Sequence, residues 1–180
     1  MNYELMFGDS LLLIIYSTFG FFVGHLLTKI SPEEMKPGKR YFKLLAMSML
    51  LLIGIFGVFV GIGLNNMDIE LAILLVFGML VGKFLNNIYF VLGVGMGFAI
   101  GNFSLILASL IFVFVMADTS LKYGKSLFYR VIVYLVPALL ISFFNISKIF
   151  DVNYVIALVS GFSWAYAYKC LLKKIVLHDI

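Results

Sequence analysis

The sequence predicts an all-α fold, a polytopic transmembrane helical bundle forming one domain over residues 1–180. Three observations predict it. Hydrophobic residues make up 63% of the chain and charged residues only 12%, against about 25% charged in a soluble domain. Mean hydropathy is +1.12. Apolar runs of about 20 residues recur along the chain, the length that carries a helix across about 30 Å of hydrocarbon. Three Pro, one Cys and 17% aromatic residues exclude disordered, collagen-like and disulfide-scaffold chains. The net charge of +4 comes from basic residues between apolar runs, so it reports orientation in a lipid bilayer and implies no nucleic-acid partner.

The first span is predicted over residues 9–29. It follows a start that carries Glu4 and Asp9 but no Lys or Arg, the reverse of a signal peptide. A basic loop, Lys36-Pro37-Gly38-Lys39-Arg40, separates it from a second span over 41–64. From Asp68 to Asp118 the chain is apolar except at Gly82-Lys83, Asn86-Asn87 and Gly101-Asn102. A single helix of that length would measure about 75 Å, more than twice the hydrocarbon thickness. Three spans over 68–85, 88–102 and 103–118 fit instead, followed by 127–146 and 152–172, which makes seven.

Charge favours seven over six. With seven spans, twelve of the thirteen basic residues share one side and only Lys148 lies opposite, while Glu4, Asp9, Asp68, Glu70 and Asp151 collect on the other side. The positive-inside rule then places the N-terminus outside and the C-terminus in the cytoplasm, and the plasma membrane is the expected location. Because residues 88–101 would cover only about 21 Å as a helix, a re-entrant hairpin over 68–101 is the alternative, and it preserves the same parity.

An internal repeat is also visible. Lys36 to Phe42 and Lys122 to Phe128 both read K-x-G-K-x-x-F, and Asp68 and Asp151 each open an apolar segment with Gly ten residues on, at Gly78 and Gly161. Half-repeats over 9–85 and 103–172, joined by a linker helix over 88–102, would give a 3+1+3 parallel arrangement. Repeats of this kind build many transporters, with the substrate site near the midplane. The layout is similar to that of the SWEET sugar transporters and other PQ-loop proteins in span count and orientation. No Pro-Gln pair occurs, and the sole intramembrane proline is Pro137, so the resemblance covers architecture and carries over no residue.

Glycines recur at four-residue spacing: Gly93, Gly97 and Gly101 in span 4, Gly57 and Gly61 in span 2, Gly78 and Gly82 in span 3. Such faces let helix backbones approach closely, which predicts helix packing and a central position for span 4. Ser142, Asn145, Ser160, Ser163, Trp164 and Tyr166 on spans 6 and 7 are the candidate lining of a solute site. Trp164 falls near mid-depth, away from the interfacial belt, where its indole N–H needs a partner. His25 and Asp118 are expected at similar depth and form a candidate pH switch.

Enzyme chemistry is poorly supplied. Two histidines and Cys170 make no zinc spacing, no metal or other cofactor is implied, and no glycine-rich loop leads into Lys-Ser/Thr. The expected function is therefore a small-solute or ion transporter or channel, alone or as a homo-oligomer. A non-catalytic subunit or scaffold binding partner helices in a membrane complex is the alternative. A membrane enzyme acting on a lipid phosphate is the third, using Lys36, Lys39, Arg40, Lys122, Lys125 or Arg130.

Overall fold

A computed structural model describes residues 3–64, 69–84, 87–99, 102–121, 127–144, 146 and 152–176. Seven helices follow one another: α1 (Tyr3–Ile30), α2 (Pro32–Leu64), α3 (Ile69–Phe84), α4 (Ile88–Phe98), α5 (Asn102–Leu121), α6 (Leu127–Phe143) and α7 (Val152–Val176). No strand occurs among the described residues. Three stretches, Ser10–Ile30, Pro37–Phe59 and Ser104–Leu121, are long and apolar enough to span a membrane, and α4 and α6 are shorter apolar helices.

One sequence expectation is corrected at the start of α2. The segment Lys36-Pro37-Gly38-Lys39-Arg40 is helical rather than a loop, because α2 begins at Pro32. Proline suits a first helical position, where its missing N–H would have had no partner. Pro37 then forfeits one further backbone bond while keeping a helical φ. The first copy of K-x-G-K-x-x-F is thus helix, and residues 122–126 of the second copy lie outside the described residues.

Backbone approaches at glycines fix the helix directions. A Cβ on Gly20 would stand 2.5 Å from the Phe112 carbonyl oxygen, and one on Gly24 would meet Met116, so α1 and α5 run parallel. Gly78 abuts Leu158 and Gly82 abuts Phe162 and Ala165, so α3 and α7 are parallel too. Gly93 meets Tyr134 and Pro137 while Gly97 meets Ala138 and Ile141, which sets α4 parallel to α6. Against α7, α2 runs the other way: Leu51 pairs with Trp164 and Gly57 with Ser160 and Ile156. The start of α4 meets the end of α5 through Tyr89 and Asp118. Odd-numbered helices therefore point one way and even-numbered helices the other.

That alternation creates a basic end, where α1, α3, α5 and α7 finish. Lys29 and Lys83 lie in the last turns of α1 and α3, and Lys39, Arg40 and Lys43 lie near the start of α2. Glu70 stands at the opposite end of α3, where Tyr154 donates a 2.7 Å hydrogen bond to its Oε2.

Packing crosses between the two candidate halves. α1 packs on α5 and α6, α2 on α5 and α7, and α3 on α7, while α1 and α2 touch only slightly. Helix α4 is central. At eleven residues it is about 16 Å long, and nine of those residues are buried, Gly93, Gly95 and Gly97 among them. The exterior is apolar, with Phe19 and Phe22 on α1, Phe59 on α2, Phe77 on α3 and Phe128 on α6 all more than half exposed. An apolar perimeter of this extent is compatible with a membrane location.

Candidate functional site

Three ionisable side chains are buried together near the basic end. Asp118 lies in the last turn of α5, Arg130 in the first turn of α6 and Tyr89 in the first turn of α4, each 6–7% exposed. The Tyr89 hydroxyl donates to Asp118 Oδ2. The Arg130 guanidinium carbon stands 5.9 Å from the centre of the Tyr89 ring, within cation–π range. From α7, Tyr166 lies within electrostatic reach of both Asp118 and Arg130.

The chain folds this way for local reasons. Tyr89 is placed by the glycine face of α4, which seats that helix directly against α6 at Tyr134 and Pro137. Its ring then packs against Phe21 of α1 and Phe114 of α5, with centroids 5.4 Å and 6.4 Å away. An aromatic wall thus excludes water from one side of the carboxylate. Charge removed from water needs a donor and a countercharge; the Tyr89 hydroxyl is the donor, and the Arg130 guanidinium carries the opposite sign. A second polar contact lies deeper. Ser17 donates to the Ile14 carbonyl at 2.9 Å, so the fully buried Tyr134 hydroxyl, 2.5 Å from Ser17 Oγ, is the donor to it.

Of the residues singled out from sequence, Asp118 belongs to this cluster and Tyr166 borders it. His25 is exposed on α1. It sits level with the end of α5, since Ser120 donates to the neighbouring Gly24 carbonyl at 3.1 Å. Trp164 donates its indole N–H to the Leu51 carbonyl at 3.3 Å, so its partner is backbone. Ser160 and Ser163 are buried and bond back to Ile156 and Val159 of their own helix, at 2.7 Å and 2.9 Å. Ser142 Oγ is buried with no hydrogen-bond partner, and Asn145 lies outside the described residues. Ser160, Ser163 and Trp164 are thus each satisfied by a backbone carbonyl.

The glycines behave as close-packing residues. Gly57, Gly78, Gly82, Gly93 and Gly97 all face a neighbouring helix so closely that an added Cβ would collide. Gly101 lies outside the described residues, as do the surroundings of Gly61. Gly20 and Gly24 on α1, and Gly54 against the Trp164 indole, make the same kind of contact. The four-residue spacing of Gly20 and Gly24 signals it equally well, whereas Gly54 lies outside that pattern.

Sequence reasoning placed Asp118 and Arg130 at helix ends and gave Tyr89 no role. No described group of three His, Cys, Asp or Glu side chains can hold a metal ion. A separate cavity of about 490 Å³ opens between α3, α4 and α7, and its walls are apolar. No known protein family matches this chain, and no curated protein or solved structure shows significant similarity to it.

Proposed function

We propose that the chain is an integral membrane protein of seven spans that moves a small solute or ion, with the Asp118–Tyr89–Arg130 cluster at the cytoplasmic end of its path. The carrying observation is that cluster. Ionisable residues held away from water inside a membrane-spanning bundle are costly and mark ion or substrate pathways. Supporting the seven-span reading is the strict alternation of helix direction, which successive crossings require. The gathering of Lys29, Lys83, Lys39, Arg40 and Lys43 at one end supports a cytoplasmic assignment for that end, and the plasma membrane is the location proposed with it. The parallel packing of α1 on α5 and of α3 on α7 is what mates in a parallel repeat would show.

The scaffold alternative calls for a glycine face left open for partner helices, and the described glycine faces are occupied within the chain. The lipid-phosphate alternative calls for basic side chains converging on one anion, whereas Arg130 is turned into the cluster and Lys39 and Arg40 are exposed.

The test is flux through vesicles reconstituted with the purified protein, under gradients of H⁺, Na⁺, K⁺ and a panel of small neutral solutes. At least one gradient should collapse faster than in empty vesicles. Asp118→Asn and Tyr89→Phe should slow that flux about tenfold, the kinetic equivalent of one buried hydrogen bond. Flux indistinguishable from empty vesicles for every solute would overturn the proposal.

A further inference from the structure

The cavity between α3, α4 and α7 has no part in the cluster. Its walls include Leu74 of α3, Val94 and Phe98 of α4, and Val155, Leu158 and Phe162 of α7. Gly95 of α4 packs tightly on Val159 of α7, and Val159 is one of the walls. Along α4 the walls run from Phe90 to Phe98, about 12 Å at 1.5 Å per residue.

Dimensions decide what fits. A volume of 490 Å³ spread over about 12 Å gives a cross-section of about 40 Å². An unbranched hydrocarbon chain is thin enough. Polarity decides the rest. Tyr154 lines the end of the cavity farthest from the basic side, and its hydroxyl holds the exposed Glu70 carboxylate at 2.7 Å. A lipid whose chain lies in the groove would bring its headgroup to that carboxylate, which attracts an ammonium group and repels an anionic one.

We infer that the α3–α4–α7 groove is a binding site for one acyl chain of a phospholipid with an amine-bearing headgroup, anchored at Glu70 and Tyr154. The inference rests only on the membrane-spanning part of the functional reading, and transport is not required for it.

The test uses the full chain reconstituted in vesicles of equal phosphatidylethanolamine and phosphatidylglycerol, then transferred to detergent and weighed by native mass spectrometry. The wild type should retain one phospholipid per chain, chiefly phosphatidylethanolamine. Val94→Phe and Val155→Phe, which fill the groove, should lower retention about tenfold, equivalent to about 1.4 kcal/mol of binding. Leu52→Phe, on the outward face of α2, should retain it. Glu70→Gln should keep the lipid and lose the headgroup preference.

Loss of the wild-type lipid, equal retention by Val94→Phe and Leu52→Phe, or an unchanged preference in Glu70→Gln would each overturn the assignment. A measurement on the unmodified chain guards against misfolded variants. A phosphatidylethanolamine carrying a photoreactive acyl chain should label Leu74, Val94 and Leu158 ahead of Phe19 and Phe128, and even labelling would refute the site. A chain that fails to float with vesicles would instead defeat the membrane reading, and so is told apart from failure of the groove.

Discussion

Tyr89 and Asp118, 29 residues apart in sequence, share a buried hydrogen bond that joins the start of α4 to the end of α5. The bond closes a site whose members come from three helices, and the charge on Asp118 makes it stronger than a contact between neutral groups.

Removing the Tyr89 hydroxyl strips a donor from a buried carboxylate. Tyr89→Phe should lower unfolding free energy by about 1.5–3 kcal/mol, the range for hydrogen bonds to charged groups. Asp118→Asn removes the charge as well as weakening the bond, so the double variant should be less damaged than the sum of the single ones. Thermal unfolding of the three variants in detergent measures the coupling, and strict additivity would show that the two side chains act independently.

The contact between Tyr134 and Ser17 should respond asymmetrically. Without the Tyr134 hydroxyl, Ser17 still donates to Ile14, so Tyr134→Phe should cost about 0.6 kcal/mol, an average membrane value. Ser17→Ala leaves the fully buried Tyr134 hydroxyl with no acceptor at this position, which should cost about 1–3 kcal/mol. The order of the two unfolding temperatures checks the assignment of the donor.

Glycine substitutions should divide by environment. At Gly20 a Cβ would press on the Phe112 backbone, 2.5 Å away, whereas at Gly38 its nearest neighbour is the Phe42 ring at 3.6 Å. Gly20→Ala and Gly97→Leu should force α1 from α5 and α4 from α6, costing several kcal/mol of the order seen for overpacking, about 1–3 each or more. Gly38→Ala should stabilise by up to about 1 kcal/mol through helix propensity. Melting curves of the three variants decide.

Orientation is open to a labelling test. In a Cys170→Ser background, Lys39→Cys and Lys83→Cys should react with a membrane-impermeant thiol reagent from one side of oriented vesicles, and Glu70→Cys from the other. Labelling of all three from the same side would show that α3 does not cross the bilayer.

Much of the helical layout is legible in the sequence, because apolar runs and their polar interruptions determine where helices start and stop. Helix α4, expected over 88–102, spans Ile88–Phe98, and Gly93 and Gly97, four residues apart, both face α6. The cluster is not legible in the same way. A charge one turn inside a helix end satisfies both an interfacial position and a buried one, and only the packing of α4 between α5 and α6 decides for Asp118 and Arg130. Tyr89 gives no local signal, since its partner lies on another helix. The start of α2 misled for the opposite reason: proline and glycine in one short segment read as a turn, yet Pro32 begins the helix and carries the chain through Pro37.

The alternating directions of the helices have an electrical consequence. Each helix carries about half an elementary charge at either tip, negative at its C-terminus. Four C-termini and three N-termini meet at the basic end, so six macrodipoles cancel in pairs and one is left over. The one left over places about half a negative charge among Lys29, Lys39, Arg40, Lys43 and Lys83, where it offsets a small part of their mutual repulsion.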